Sequence, residues 1–554
     1  MRIKLRTTTS KEYIELERDA PFTIEELAKE YQAEAPYRIL LACVDGVDRE
    51  LTTVIDHDVT IRFYDLRTQS ANLAYQRSLS LLYLVAVRDV LGVDADIENS
   101  LNRGLYTDIK VRGRVHAEDI RRIDARMREL VRADIPIVKE LCTLEEGIKV
   151  WKEAGYREKV DLLKEIEDPD FEVRFYELNG YRNYFFGLML PSTGYLTYFE
   201  LRKYKSGVLL RFPYYTDPEV IPEYVNEYKM YGAFGEEERW TKLLGTHYLP
   251  DMNRAIAENR TKDLILLSEA LHEKKISDIA DEICRLGKRI VLIAGPSSSG
   301  KTTFARRLCI QLRVNGLQPL YMGTDDYFVN RNETPLDENG EPDYENLNAI
   351  DIDLFNSNMN DLLEGKEADL PEFDFMEGRK IFGKRITSIK SDQLIVIEGI
   401  HALNGKLTEQ IDDKEKYRIY ISPLTQLNID RHNRVPSTDA RMLRRMVRDY
   451  KYRGHSAANT ISSWPKVRAG ENRNIFPYSS EADVLFNSML EYEIPMLKKY
   501  AEPLLREIGK DEPEHSEAVR MLKFLEFFSI IEDETLVPNN SIIREFIGGS
   551  VFTS

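Results

Sequence analysis

An α/β fold with a parallel sheet is predicted for the C-terminal half of this 554-residue chain, on the strength of three short, largely apolar runs. These are Arg289–Ala294, Leu317–Gly323 and Leu394–Ile397, and they lack the alternation of a sheet with one wet face. Runs of this kind suit strands buried on both sides. Each is followed by residues with chemistry: Gly295-Pro296-Ser297-Ser298-Ser299-Gly300-Lys301-Thr302-Thr303, then Thr324-Asp325-Asp326-Tyr327-Phe328, then Glu398-Gly399. Carboxyl ends of parallel strands face the ligand crevice, so the three tips should converge there.

The first tip fits G-x-x-x-x-G-K-[ST] at every fixed position, and Phe304–Leu312 behind it has helical spacing. Strand, glycine loop and helix bring backbone N–H groups and a helix N-terminus onto a polyphosphate. Residues Gly295 to Thr303 are therefore expected to bind ATP, with Lys301 on the outer phosphates. The Thr302 hydroxyl, Asp325 and Glu398 are expected around Mg²⁺. Further along, Arg441, Arg444, Arg445 and Arg448 fall at i, i+3, i+4 and i+7, on one helical face. Residues 441–453 hold six cations and one anion, +5 in a chain of net charge −17. Such a face repels itself unless an anion is near, so it is expected to be a lid over the phosphates, with Gly454 as hinge.

The length implies several domains. Apolar content of 42% and charged content of 31% describe a globular protein with ample core material. The acidic balance argues against non-specific binding to nucleic acid or anionic membrane. Cys43, Cys142, Cys284 and Cys309 are scattered, as core thiols of a reducing compartment would be. Leu79–Val87, the longest apolar stretch, is too short for a bilayer, and no apolar leader follows Met1. A cytoplasmic protein with no membrane partner is expected.

Residues 1–66 read as a small β-rich module. Strands are expected at Ile3–Thr7, Arg38–Val44 and Val59–Tyr64, a capped helix start at Thr23, and a turn at Asp45-Gly46. Leu73–Leu91 has helical periodicity, and Arg182–Met189 and Gly194–Glu200 read as strands. Leu264–Leu286 is an amphipathic helix capped by Gly287, expected to dock the front half onto the loop-bearing domain. Asn330–Asn348 is polar and reads as a flexible insertion. His247 and His401 are lone histidines beside apolar neighbours, expected to be structural. The tail after about Asp511 carries no motif.

Residues 288–490 resemble the uridine kinase and phosphoribulokinase family of P-loop kinases. The likeness rests on the phosphate loop, Thr324–Phe328, Pro371-Glu372-Phe373-Asp374-Phe375, Val396-Ile397-Glu398-Gly399-Ile400, Arg444–Gly454 and Ala482-Asp483-Val484. It implies that Asp325 takes the proton from a sugar 5′-hydroxyl. Glu398 would lie near Mg²⁺, and Arg444, Arg445, Arg448 and Arg453 would be lid cations. Tyr327, Glu345 and Phe373 would line the substrate, Glu345 where uridine kinases hold ribose with an aspartate. Where that family grips the pyrimidine with a Tyr and a His, this chain has Phe373 and, near the His, Glu377 or Gly378. Losing a buried hydrogen bond to a base is worth about 1–3 kcal/mol, enough to change specificity. An insertion at His432–Thr438 also has no counterpart there.

The front half resembles two modules. Residues 1–66 are similar to the ubiquitin-like TGS module, a β-grasp fold. Residues 67–240 are similar to the α+β second N-terminal domain of threonyl-tRNA synthetase, through Leu79–Leu91, Gly104–Asp108 and Arg182–Phe186. The editing positions of that domain match Tyr75, Leu79, Leu190 and Gly194, none able to activate water, so the scaffold is implied without its hydrolytic chemistry. A linker, 241–287, and a kinase domain with tail, 288–554, complete the chain. The whole points to ATP-dependent phosphoryl transfer to a hydroxyl of a small molecule, a nucleoside 5′-OH foremost, by a weakly held homo-oligomer. The alternatives are a kinase acting on a sugar phosphate, and a nucleotide-gated protein whose front half binds RNA or another ligand.

Overall fold

In the computed structural model the two halves are built from different kinds of sheet. It describes residues 1–552 apart from 102, 167, 169, 170, 338, 339 and 426, and leaves out the side chain of residue 237. The first sheet is mixed. It contains β1 (Arg2–Arg6), β2 (Ile14–Glu17), β3 (Leu41–Val44), β4 (Val47–Glu50) and β5 (Val59–Tyr64), in the order β2-β1-β5-β3-β4. Its two centre strands, β1 and β5, run parallel. Alternate residues such as Ile3, Leu5, Ile61 and Phe63 are buried, as period-two side-chain placement requires. Between β2 and β3 lies helix α1 (Ile24–Tyr31), started by a reciprocal cap. The Glu26 amide donates to Thr23 Oγ1 at 3.2 Å, and the Thr23 amide donates to Glu26 Oε2 at 2.7 Å. Asp45 and Gly46, both at positive φ, close a β3–β4 hairpin; the strand after this turn is Val47–Glu50, unforeseen in the sequence.

Helix α2 (Gln69–Leu91) is the spine of the next unit and packs against three- and four-stranded antiparallel sheets. The three-stranded sheet holds β8 (Val138–Cys142), β9 (Val173–Leu178) and β10 (Tyr181–Tyr184). The four-stranded sheet holds β6 (Ala95–Leu101), β7 (Gly104–Ile109), β11 (Glu200–Tyr204) and β12 (Gly207–Arg211). Two expectations fail here. The strand expected over 182–189 stops at Tyr184, and 194–200 is a 3₁₀ turn and coil until β11 begins at Glu200. Asp134 explains the second failure: its carboxylate accepts from the Gly194 amide and from the Ser192 hydroxyl, satisfying them outside any sheet.

The C-terminal sheet is wholly parallel. Strands β13 (Ile290–Ala294), β14 (Pro319–Gly323), β15 (Leu394–Glu398), β16 (Lys416–Ser422) and β17 (Val484–Asn487) run in the order β14-β15-β13-β16-β17. Helix α3 (Thr261–Leu286) ends at Gly287 in the left-handed conformation, as expected. Its role differs from a dock between halves. Ile276, Ile279 and Ile283 share a core with Val291, Phe304 and Leu308, so α3 belongs to this domain. The front half is met by, among others, the 430–433 stretch, whose last two residues open the insertion expected at His432–Thr438. Asn183 Nδ2 and His432 Nδ1 lie 3.0 Å apart, Asn433 donates to the Tyr184 carbonyl at 2.9 Å, and a fully buried Lys159–Asp430 pair closes to 2.9 Å. The polar 330–348 stretch, whose residues 338 and 339 lie outside the description, carries two 3₁₀ turns, 331–333 and 347–349. Among the described residues no helix is long and apolar enough to cross a membrane.

Candidate active site

Strand register brings the predicted tips together. Glu398 on β15 is level with Ile293 on β13 and with Gly323 on β14, so the phosphate loop, the Asp325 turn and Glu398 leave the sheet side by side. The loop then turns into helix α4 (Lys301–Val314). Two glycines make this path feasible. A Cβ on Gly295 would come within 2.0 Å of the Ile421 carbonyl, and Gly300 has φ +80°. Ser298 is also left-handed, at φ 59°, and the hydroxyls of Ser298 and Ser299 are buried with no hydrogen-bond partner. Orphaned buried hydroxyls in a loop of this shape are what a polyphosphate would satisfy.

Lys301 Nζ donates to the carbonyls of Gly295 and Pro296 at 3.0 and 3.3 Å. Burial pulls its pKa down, while Glu398, Glu545 and Asp325 act on the ammonium in the opposite sense. Thr302 Oγ1 donates to Glu398 Oε1 at 2.8 Å, and the Tyr321 hydroxyl donates to the same oxygen at 3.2 Å. Asp325 lies on a 3₁₀ turn, Thr324–Tyr327, open to solvent at the residue level yet closely surrounded at its carboxyl. Burial first, then the neighbouring Glu398 charge, pushes that carboxyl up to about 6. Its neighbour Asp326 is taken by Arg385 at 2.8 Å.

The same tight turn corrects one expectation. Successive side chains on a 3₁₀ turn point about a third of a circle apart, so Asp325 and Tyr327 cannot both face the cleft. Tyr327 is fully buried against Phe355, its hydroxyl accepting from Asn358 at 3.2 Å, and is a core residue rather than a substrate contact. Phe373 is buried edge-on to Phe328 and Phe375. The Glu345 carboxyl lies against Gly470 of helix α6 (Ala457–Asn474), where a Cβ would meet it at 1.2 Å. Burial and the nearby Glu471 and Asp343 raise it to about 7. His401 is buried and pushed down to about 4 by desolvation, whereas His247 is exposed rather than structural.

The arginine helix α5 (Ser437–Arg453) is not an exposed lid. Met442, Leu443, Met446 and Val447 are buried, and Gly454 is its left-handed C-cap. Arg444 is fully buried: it pairs with Glu493 through two nitrogens and donates to the carbonyls of Ser298 and Ser488 at 3.1 and 2.7 Å. Arg441 pairs with Glu471 and donates to the Ser297 carbonyl at 3.2 Å. Arg445 Nη1 donates to Ser297 Oγ at 2.9 Å. Asp449, the lone anion of the run, is buried and gathers Arg445, Arg448 and Arg453 at 3.2, 2.8 and 3.3 Å. The helix thus braces the phosphate loop at Ser297 and Ser298, and its repulsion is relieved inside the fold.

Two carboxylates at the loop had no signal in the sequence. Glu471 Oε1 accepts from the Ser297 amide at 3.0 Å, and Glu545, near the C-terminus, accepts from Thr303 Oγ1 at 2.8 Å and from its amide at 3.4 Å. The donor set fits Mg²⁺ held by few protein ligands: one hydroxyl and one or two carboxylates, with phosphate oxygens to complete the shell. Among the described residues no group of three or more His, Cys, Asp or Glu could hold a metal unaided.

The model of the phosphoribulokinase/uridine kinase family matches residues 290–495. The uridine kinases of Staphylococcus aureus strains JH9 and Newman are each 30% identical over 198 residues, 35% of this chain and 86% of theirs. The structure of a possible uridine kinase from Bacillus stearothermophilus is 18% identical, covering 38% of this chain and 100% of that one, with a TM-score of 0.27. D-glycerate 3-kinase from Cryptococcus neoformans is 15% identical over 48% of this chain and 87% of its own, with a TM-score of 0.19. Scores this low add nothing to the sequence match. That match takes in the loop, the Asp325 turn, Glu398 and the arginine helix together, and through its C-terminal half the chain belongs to the phosphoribulokinase/uridine kinase family.

Proposed function

We propose that the protein is an ATP-dependent kinase that phosphorylates a hydroxyl of a small molecule, foremost the 5′-OH of a nucleoside. The observation that carries this reading is the Thr302–Glu398 bond at 2.8 Å beside Lys301, with the raised Asp325 carboxyl in the same electrostatic group. Mg²⁺-ATP, when bound, supplies the phosphoryl group and part of the charge neutralisation. Thr302 and Glu398 would hold the metal. The loop amides, Ser298, Ser299 and Lys301 would hold the phosphates, and Lys301 with Arg445 and Arg448 would balance charge in transfer. Asp325 would orient the acceptor hydroxyl and take its proton as the new P–O bond forms and the bond to the leaving diphosphate oxygen breaks. Phe373 and Glu345 would shape the acceptor end.

Cations on the acceptor side favour a nucleoside over a sugar phosphate. Arg385 is committed to Asp326 and Lys380 to Asp351, leaving neither spare for a second phosphate. For the front half, the mixed sheet with parallel centre strands supports a TGS-like module. The inert surroundings of the editing positions support a synthetase-like scaffold without editing: Tyr75 donates to the Tyr198 carbonyl at 2.8 Å, and Leu79 and Leu190 are core. An ADP-release assay over nucleosides and sugar phosphates, with Asp325→Asn as control, tests the assignment. Release with uridine or cytidine, lost in the control, is expected. ATP binding with no release on any acceptor would replace it with nucleotide-gated binding.

A further inference from the structure

A cavity of about 290 Å³ opens where the front half meets the 429–439 stretch and the C-terminal helices, away from the phosphate loop. Leu73, Phe185, Phe186 and Phe527 give it an apolar lining, yet Arg77 and Arg434 line it too. Among the described residues Arg434 has no hydrogen-bond or ion-pair partner. Asp439, the carboxylate that acts on it, is occupied: Arg520 binds both its oxygens, at 2.8 and 3.0 Å. Arg77 makes one long bond, 3.4 Å, to the Leu188 carbonyl. Its guanidinium lies against Gly187, at φ +125°, where a Cβ would come within 2.5 Å of Cζ. Glycine is needed there both for the backbone and for clearance of the arginine.

A guanidinium carries five N–H donors, and these two leave nearly all of theirs unused. Burial lowers both to about 10, so both stay charged at neutral pH. Asp439 and Glu50 act on Arg77 and Asp439 acts on Arg434, but among the described residues no carboxylate bonds either guanidinium. Two such groups buried beside phenylalanines are costly, and a bound anion would relieve that cost. We propose that this cavity is a binding site for a small organic anion, a carboxylate or phosphate monoester on an aromatic or branched aliphatic body. Arg77 and Arg434 grip the head and the phenylalanines pack the body. The volume is at the lower end for ligand pockets, about right for a single-ring body. Arg434 lies three residues before α5 begins, so the wall of this site continues into the helix that braces the phosphate loop.

Calorimetric titration of the full chain with phenyl phosphate, benzoate and inorganic phosphate tests the proposal. Phenyl phosphate or benzoate is expected to saturate one site below about 1 mM, and which of them does so tells phosphate from carboxylate. Binding should weaken at least tenfold in Arg434→Gln and in Arg77→Gln and be unchanged in Lys301→Ala. Because Arg434 has no partner to lose, Arg434→Gln should melt no lower than the parent. The proposal is overturned by no saturable binding up to about 10 mM, or by inorganic phosphate binding as tightly as phenyl phosphate. Loss of binding in Lys301→Ala, binding undiminished in the arginine variants, or a lowered Tm in Arg434→Gln would overturn it equally.

Discussion

The phosphate-loop site and the cavity between the halves handle positive charge in opposite ways. At the loop every cation has a carboxylate within reach: Lys301 feels Glu398, Glu545 and Asp325, Arg441 has Glu471, Arg444 has Glu493, and three more arginines share Asp449. In the cavity Arg77 and Arg434 have no ion pair among the described residues, and Asp439, the carboxylate that acts on both, is held by Arg520. A metal–nucleotide complex brings cation and anion together, so a site already close to balance can accept both. A lone organic anion needs the imbalance. The loop site therefore depends on how its charges are placed, the cavity on how many are left over.

Removing charge at the loop should do the greatest damage. Lys301→Ala is expected to lower turnover at least as much as Asp325→Asn, because phosphoryl transfer rests on electrostatic stabilisation more than on proton removal. Near-parental ADP release by Lys301→Ala would end the kinase reading. Asp325→Asn is expected to cost about 10²–10⁴-fold in turnover while ATP binding persists. With the carboxyl at about 6, the parental rate should fall roughly tenfold per pH unit below that value and level off above it. The linked stability runs the other way. The folded-state carboxyl binds its proton more tightly than an ordinary aspartate at 3.8, so its contribution to stability is lost as pH rises from about 4 to about 6. Asp325→Asn should therefore raise the Tm at pH 7 while lowering turnover. A lower Tm would show the carboxylate to be a structural partner.

The arginine helix sharpens the contrast within the loop site. Arg444 and Arg445 are adjacent in sequence and indistinguishable as cations, yet one is sealed against Glu493 and the other reaches Ser297 Oγ. Arg444→Ala should destabilise the fold by about 3–5 kcal/mol, the cost of stranding a buried carboxylate, as read from denaturant unfolding. Arg445→Ala should lower turnover with little change in unfolding midpoint. If the two variants exchange these signatures, the assignment of brace and contact is inverted.

These residues also mark what could be read from the sequence and what could not. The loop, Asp325 and Glu398 were legible because each follows an apolar run, and parallel register carries strand ends to one edge. The sheet, α1 with its Thr23 cap and α3 with Gly287 were legible for similarly local reasons. The arginine partners were not, since Glu493 lies 49 residues from Arg444 and nothing local marks it. Periodicity showed that four arginines share a face but not that the face is buried. Tyr327 was misplaced because the turn after β14 is 3₁₀, and a change of turn type redirects a side chain from cleft to core. The 194–200 strand was misread because Asp134, distant in sequence, satisfies the amide that a sheet would have used.

Glu545 carries the smallest predicted effect and the finest test of charge balance. It lies on helix α7 (Arg544–Ile547), 242 residues from Thr303, and that tail packs tightly on the loop: a Cβ on Gly300 would come within 2.5 Å of Ile542. Its carboxylate accepts from the Thr303 hydroxyl and amide at the start of α4, where helix dipole and free N–H groups favour an anion. A phosphate group of ATP would meet the same donors, so the tail carboxylate competes with it. Glu545→Gln keeps the shape and removes the charge. Nucleotide affinity, measured by titration with ADP in the absence of Mg²⁺, is then expected to tighten about twofold to fivefold, the range of one charge at a helix N-terminus. Weaker binding in the variant would instead mean that Glu545 holds the loop in its binding shape. The loop's charges would then be balanced for folding rather than for the nucleotide.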